Sequence, residues 1–538
     1  MSRIREEIRE RRVVHRPQVM EKDPVHNRAG SLAAALRDLK DALGDEWATD
    51  AASILCGYAR DQSFTPACYP HIVCLPASTD EVRAVYRVAN EHLVDVMPVG
   101  TGLTTVGLTL PPYGGIVCDL RRMDRIVEID GENMYAVIEP GVNYLMLQAA
   151  AQREGLRLLN PSTSATAGVI SNHGFCNINT MASKYGFGMD SIIDVEMVLP
   201  TGEVLKTGPA SRAGTVKGHV PGPGPDLSYI YRYAFGTLGI VTRMTVRLYP
   251  EPPFHSQVFP CYEEDRLEVM ADALYDVAND NLAIELAHLM DSFYGIFMGD
   301  DNFEAQKLMT MMPRHNLLTI FGGETLEEAD LKARVTRRML EERFPMFDYL
   351  PGEALEDLTE ENEFVNFDKW VKFFNVTVRV QRVRGSFMIG GLIDKLDNMV
   401  GIEKMMREAC TNQIGSTGDA FSPDDASTYL QPYHMGRAAY LEYDLYTSQC
   451  DKDDLLRMLF GYFRATGRAM GKGMIIAGGN GAVLKGMPGM EDLVMPAVQP
   501  NMVEFMRAFT AVKMTLDPNN VSNRRWEYDT GRMKKVFF

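Results

Sequence analysis

The strand candidate ending at Pro98-Val99 runs into Gly100-Thr101-Gly102-Leu103-Thr104-Thr105, a turn of glycines and short hydroxyl side chains suited to holding an anion. Glycine carries no Cβ, so the backbone can approach a ligand closely and successive N–H groups can converge on phosphate oxygens. The stretch fits neither the Walker pattern nor GxGxxG, and on spacing alone an ordinary interstrand loop is an equal alternative. Its neighbours must decide.

Residues 78–92 read as a helix opened by a capping box, with Ser78 as N-cap and Glu81 three positions on. The apolar strand 94–99 follows at once, so helix, strand and turn form one unit. Further strands are expected at 115–120 and 135–140, then a helix over 143–154 and a hairpin of 193–200 with 203–207 turning at Thr201-Gly202. After the glycine- and proline-rich passage 211–226, residues 240–250 alternate, with Ile240, Thr242, Met244, Val246 and Leu248 on one face and Arg243 and Arg247 on the other. Pro-Glu-Pro-Pro at 250–253 marks the main boundary. From about 255 to 515 long amphipathic helices alternate with strands such as 439–446, predicting a second domain built on an antiparallel sheet.

The chain has 538 residues, 46% hydrophobic and 24% charged, which calls for two large globular domains or one with an insertion. Its formal net charge of −17 argues against nucleic acid or an anionic membrane as partner. The 8 cysteines form no CxxC pair and no Cys/His cluster at zinc spacing, so no metal site is expected and a reducing compartment is. With no signal-type segment and no apolar run of about 18 residues, a cytoplasmic location without a membrane span is the expectation. Arg5, Glu6, Arg9 and Glu10 read as a solvated helix.

Several segments, in order, carry a resemblance. They are Tyr58-Ala59-Arg60-Asp61, 70–99, the glycine turn, 115–143 with Glu139-Pro140-Gly141-Val142, 160–172, 183–208, Pro225-Asp226-Leu227, 235–243 and Asp517-Pro518-Asn519-Asn520. This chain resembles the FAD-binding oxidoreductases of the vanillyl-alcohol oxidase and p-cresol methylhydroxylase (PCMH-type) fold, a family that also holds glycolate and D-lactate dehydrogenases. The resemblance implies an α+β architecture: an FAD-binding domain of two subdomains, then a cap domain with an antiparallel sheet flanked by helices. The expected division is a helical extension over 1–54, the FAD-binding domain over 55–253, the cap over 254–515 and a return to the FAD domain over 516–538. It implies that Val99, Gly100, Thr101, Gly102, Leu103, Thr104 and Thr105 hold the pyrophosphate. Pro161, Ser162, Thr166, Gly168, Asn172 and His173 would flank the flavin and ribityl chain, with Ile240 and Val241 meeting the cofactor through the backbone. Hydroxyls suit ribityl and phosphate oxygens, and Gly168 permits close approach to a flat ring.

The implied chemistry is hydride transfer from a substrate C–H to flavin N5. At the metal motif of the hydroxy-acid branch this chain reads Gly478-Gly479-Asn480-Gly481 with Lys485 retained, and His434-Met435-Gly436 is the nearest remnant of the other; metal-assisted oxidation is therefore not expected. The Tyr-Arg pair of the phenol-oxidising branch is replaced by Leu484-Lys485. Candidate polar pocket residues are Lys485, Tyr440, His434, Arg384 (near Arg379 and Arg382) and His173, with no catalytic base selected. FAD is expected to be non-covalent, with Tyr440 or His434 as possible tethers. An alcohol or alkyl-aromatic, phenol-derived substrate is favoured, with a D-2-hydroxy acid as the second reading and a flavin-bearing electron-transfer or scaffold subunit as the third. A small-molecule substrate, an electron acceptor (oxygen, quinone, cytochrome or electron-transfer protein) and a homo-oligomer complete the expected partners.

Overall fold

Ser78 caps its helix as the spacing predicts. Its hydroxyl accepts from the Glu81 N–H at 3.2 Å, while Glu81 Oε2 reaches past the cap to accept from the Ala77 N–H at 2.8 Å. In the computed structural model, residues 26–524 are described apart from 64, 66, 105–106, 162–163, 177, 213–223, 294–301, 351–385, 412–426, 448–449, 452, 454–474 and 478–502. The N-terminal charged stretch with Arg5 and Glu10, together with Arg379 and Arg382, lies outside the described residues.

Two sheets make up the first half. In the first, β1 (Ala48–Thr49), β2 (Ile72–Cys74), β3 (Val96–Val99) and β4 (Ile116–Asp119) run in the order β1-β2-β4-β3, with β2, β4 and β3 parallel. Helices α1 (Ala29–Leu43) and α2 (Thr79–His92) cover it, burying Leu39, Val85 and Tyr86 against Ile72, Val96 and Ile116. The second sheet is antiparallel: β5 (Ile126–Asp130), β6 (Tyr135–Ile138), β8 (Ile192–Val198), β9 (Val204–Lys206) and β10 (Ile240–Arg247), in the order β5-β6-β10-β8-β9. The predicted one-sided alternation of β10 is corrected here, because a register shift between Val241 and Arg243 lets both faces be buried. Ile240 thus joins the first subdomain's core and Val241 the second's. Helix α3 (Tyr144–Ala151) is capped by Asn143, and the short helices α4 (Val169–Phe175) and α5 (Ala182–Tyr185) follow.

Residues beyond Pro-Glu-Pro-Pro enter a third, nine-stranded sheet, in which every described pairing is antiparallel. Its strands include β12 (Phe254–Val258), β13 (Pro260–Tyr262), β14 (Glu285–Met290), β15 (His315–Gly323), β16 (Asp348–Tyr349), β17 (Ser386–Asp394), β18 (Ser427–Tyr433), β19 (Ala438–Thr447) and β20 (Ile475–Ala477). Helices α6 (Leu267–Asp280), α7 (Leu326–Arg343) and α8 (Leu396–Thr411) pack on one face, where Leu286, Leu317, Leu430, Leu441 and Tyr443 form the core with Met270, Leu274 and Met399. Strand alternation turns the other face, with Tyr440 and Glu442, toward the first half.

The chain then returns through helix α9 (Val503–Leu516) to the first sheet's edge. Val96 N–H donates to the Val521 carbonyl at 2.7 Å and Asn523 N–H donates back to Val96 at 2.8 Å. Lys513 Nζ, buried, donates to Asp517, to the Thr237 carbonyl and to the Ser522 carbonyl at 2.5–2.7 Å.

A buried ion pair seats the third sheet on the first half. Arg157, on β7 (Leu156–Arg157), which pairs with β11 (Tyr249–Pro250), donates through Nη2 to Glu285 Oε1 at 2.7 Å, and Thr180 Oγ1 donates to Glu285 Oε2 at 2.6 Å. Glu251 lies 3.5 Å from Arg157 Nε, and Leu286 N–H donates to the Thr180 carbonyl at 2.9 Å. Arg157→Met strands a buried carboxylate and is expected to cost ~3–5 kcal/mol of stability, most of it regained in Arg157→Met/Glu285→Met. Urea unfolding of both variants measures this.

Among the helix-side residues, His288 Nε2 and His315 Nδ1 face each other at 3.0 Å, both fully buried. Burial, aided by the His315 ring and Arg314, pushes His288 well below its usual range, and burial aided by Arg314 pushes His315 down to about 4. The unfolded chain takes up these protons below about pH 6.5 and the folded chain does not, so stability is present above that pH and is lost as pH falls. The urea midpoint is expected to drop between about pH 7.5 and 5, and to drop less in His288→Leu/His315→Leu.

Candidate functional site: a cleft between the first half and the third sheet

The turn after β3 keeps the geometry its residue types suggest. Gly102 adopts φ +78°, and Gly100 and Gly168 lie back to back around Ser171, where an added Cβ would stand 3.4 and 2.9 Å from its Oγ. Gln62, carried by the Tyr58–Asp61 segment, donates its backbone N–H to the Thr104 carbonyl at 3.1 Å and fixes the far side of the turn. Tyr58 in turn donates to Asp119 at 2.6 Å, and Asp119 is gripped by Arg121 at 2.6 Å. Gly236, at φ +74°, leaves no room for a side chain, since a Cβ would meet Pro98 Cγ at 2.3 Å.

These turns wall a cavity of about 240 Å³ that runs without interruption to the cap strand β19. Gly100 to Thr104 line one end; Pro161, Gly168, Ser171, Asn172, Ile240 and Val241 line the middle; Phe175, Cys176, Tyr233, Phe235, Tyr440 and Glu442 close the other. Backbone N–H groups, Thr and Ser hydroxyls and the amides of Gln62 and Asn172 suit phosphate and ribityl oxygens, while Ile170, Ile240 and Phe175 offer flat apolar contact. The residues fit an extended dinucleotide carrying an aromatic ring system.

The remaining predicted residues fall as follows. Thr105, Ser162, Arg384 and Lys485 lie outside the described residues. Thr166 is exposed, its hydroxyl on Ser164 at 2.9 Å, and does not line the cleft. His173, expected beside the ring, instead faces inward from α4: it is fully buried, stacked on Tyr144 with its Nδ1 2.7 Å from the Tyr144 hydroxyl. Burial pushes its pKa down to about 3 and keeps it neutral. His434 is also displaced from the cleft. With φ +42° it occupies the turn between β18 and β19, its N–H donating to the Ala182 carbonyl and its ring 4.0 Å from Asp190, so it docks the cap on α5. Neither histidine is placed to touch a ligand in the cavity, and His434 is not placed to tether a flavin. Tyr440 lines the cleft.

Glu442 escaped the sequence reading. It lines the cleft at 8% exposure, and Tyr440 donates to its Oε2 at 2.8 Å. The available signal was Glu442 and Asp444 at i and i+2 on one face of a largely apolar strand. Burial pushes the Glu442 carboxyl up to about 7, against hydrogen bonds from Tyr440 and Asp444 that lower it. Burial also holds the Tyr440 hydroxyl well above 10, and so neutral.

Taken together, the parallel and antiparallel sheets of the first half, the third sheet and the cleft between them define a mixed α+β fold. Residues 70–208 match the FAD binding domain family. The backbone superimposes on p-cresol methylhydroxylase with substrate bound at a TM-score of 0.78 and 18% identity, covering 92% of this chain and 96% of that one. It superimposes on 4-ethylphenol oxidase from Gulosibacter chungangensis at 0.77 and 17% identity, covering 95% and 100%. Glycolate oxidase subunit GlcD of Bacillus subtilis is 31% identical over 45% of this chain and 50% of its own length. Mitochondrial D-lactate dehydrogenase [cytochrome] of Arabidopsis thaliana is 32% identical over 42% of this chain and 38% of its own. These matches span half or less of the curated relatives. Residues 70–208 carry an FAD-binding domain, the chain has the fold of p-cresol methylhydroxylase, and FAD is its cofactor. Among the described residues no helix is long and apolar enough to cross a membrane.

Because Glu442 holds its proton more tightly when folded, the stability this gives is full below pH 4.5 and is lost as pH rises through about 7. Glu442→Gln cannot ionise and is expected to be more stable than the parent above neutral pH, by at most ~3 kcal/mol, with no gain in acid. Thermal unfolding on both sides of neutrality reads this.

Proposed function

We propose that this protein is an FAD-dependent oxidoreductase that removes hydride from a substrate C–H, with 55–253 holding the cofactor and 254–515 covering it. The observation that carries the reading is the single cleft from the Gly100–Thr104 turn to Tyr440 and Glu442. When bound, FAD supplies a two-electron acceptor. The protein's own residues then have three tasks. The turn and the Gly168 approach bind and orient the cofactor, Phe175, Tyr233 and Phe235 exclude water from the reacting end, and the cap positions the substrate.

An alcohol or alkyl-aromatic, phenol-derived substrate suits the cap end, where Phe175, Tyr233 and Phe235 pack with ring centroids 5.6–6.1 Å apart. A D-2-hydroxy acid is the second reading, favoured by the similarity of the FAD-binding half to the glycolate and D-lactate enzymes. The buried Glu442 carboxylate opposes it by like-charge repulsion. An electron acceptor must reoxidise the cofactor.

The purified protein is expected to be yellow and to bleach anaerobically with benzyl alcohol or 4-ethylphenol faster than with D-lactate; a colourless protein refutes the reading. Gly102→Val forces a β-branched side chain into φ +78°. It is expected to weaken FAD binding about tenfold or more, in line with ~1–2 kcal/mol of left-handed strain, with unchanged circular dichroism. Equilibrium dialysis of FAD measures it.

A further inference from the structure

We propose that Glu442 is the proton acceptor of the reaction, taking the proton of a neutral substrate hydroxyl, and that Tyr440 is its positioning residue. The proposal rests on the oxidoreductase reading. Among the described lining residues Glu442 is the one carboxylate, with no Lys, Arg or His beside it, and the lining thiol and phenols stay protonated, so it is the group there able to receive a proton. Tyr440 Oη donates to Oε2 at 2.8 Å and holds the carboxylate from the same face of β19.

The groups around it are named readily. Asp444 lies on its own strand; Tyr429, opposite it in register on β18, donates to Gln431; and Gly391, opposite on β17, brings no side chain. Cys176 and Tyr233 line the cleft from the other half, and burial pushes the Cys176 thiol up to about 12, so it stays protonated. No cation among these described groups neutralises Glu442. Burial therefore dominates and sets its titration near neutrality, where a general base works best.

The step balances. The substrate O–H bond breaks, its proton going to the Glu442 carboxylate and its electron pair forming the C=O bond. The C–H pair leaves as hydride to the two-electron oxidant of the proposed reaction. A neutral alcohol becomes a carbonyl compound, and Glu442 must release its proton before the next turnover.

The test uses the FAD-loaded protein, with the donor among benzyl alcohol, 4-ethylphenol and D-lactate that bleaches the parent fastest. Three results are expected. Glu442→Gln retains FAD but bleaches roughly 10²–10⁴-fold more slowly and loses the rise in rate toward neutral pH, while Glu442→Asp keeps that rise. Tyr440→Phe, which removes a hydrogen bond to the charged form, moves the rise to higher pH. Infrared difference spectra of the parent, taken without substrate, show a carboxyl band titrating near neutrality that Glu442→Gln lacks. Parental rate and pH profile in Glu442→Gln, or persistence of that band in it, overturns the assignment of Glu442 alone. A parent protein that binds FAD and is bleached by no donor overturns the oxidoreductase reading and the proposal with it.

Discussion

The cleft exists because the cap is seated by a buried charge pair. Arg157, fully buried, meets Glu285 at 2.7 Å, and Thr180 from the other half meets the same carboxylate at 2.6 Å. Such a pair adds little net stability, since desolvating two ions costs about what their attraction returns. Its contribution is positional. Glu285 opens β14, the neighbouring Leu286 is held by Thr180 on one side and by Gln431 of β18 on the other, and β18 pairs with β19. The ion pair thus fixes, strand by strand, where Tyr440 and Glu442 face. An apolar contact of the same area would tolerate sliding; a carboxylate with two donors at set angles does not.

A second constraint lies in the backbone at the cap end of the cleft. Cys176, Tyr233 and Phe235 have φ of 155°, 59° and 49°, values that cost an L-residue free energy, and all three line the cavity. Surrounding contacts over-determine them. Tyr233 N–H donates to the Gly174 carbonyl at 2.8 Å, the Phe235 carbonyl accepts from Asn523 at 2.6 Å, and Gly174 leaves space for Tyr231, whose hydroxyl a Cβ there would meet at 2.6 Å. The returning C-terminal segment therefore braces the aromatic wall from behind. Rigid aromatic walls, prepared before a ligand arrives, spare it the entropy of ordering them.

How far the sequence could be read follows from which signals are local. The Ser78 cap, the glycine turn and the strand of 438–447 each depend on residues within a few positions, and the structure has them close to where the spacing puts them. The face of α4 that meets the cleft does not have that property. Ser171 and Asn172 line it while His173, one residue on and about 100° further round, turns into the core beneath Tyr144. A histidine in a flavin-flanking loop was chemically apt, but seven residues of helix give too little periodicity to say which side is buried. His434 misled differently. Its turn is legible as a turn, yet its contact with Ala182 and Asp190 joins segments some 250 residues apart, and no local pattern announces such a contact.

Glu442 was within reach of a stricter reading of the same strand. Alternation divides 440–444 into Tyr440, Glu442 and Asp444 on one side and Leu441 and Tyr443 on the other, and the second set joins the helix-covered core. A strand buried on both faces that still carries two carboxylates on one of them asks for an explanation, because burying an ionisable group without a cation is costly. Packing alone offers none: Leu at 442 would fill the same space without a buried charge, at the cost of the Tyr440 hydroxyl's acceptor. The carboxylate is therefore better explained by what enters the cleft than by the fold. Carboxyl protonation is cheap near neutrality only because the site is poorly solvated, so the free energy that destabilises the folded charge is the same free energy that makes the group a competent base.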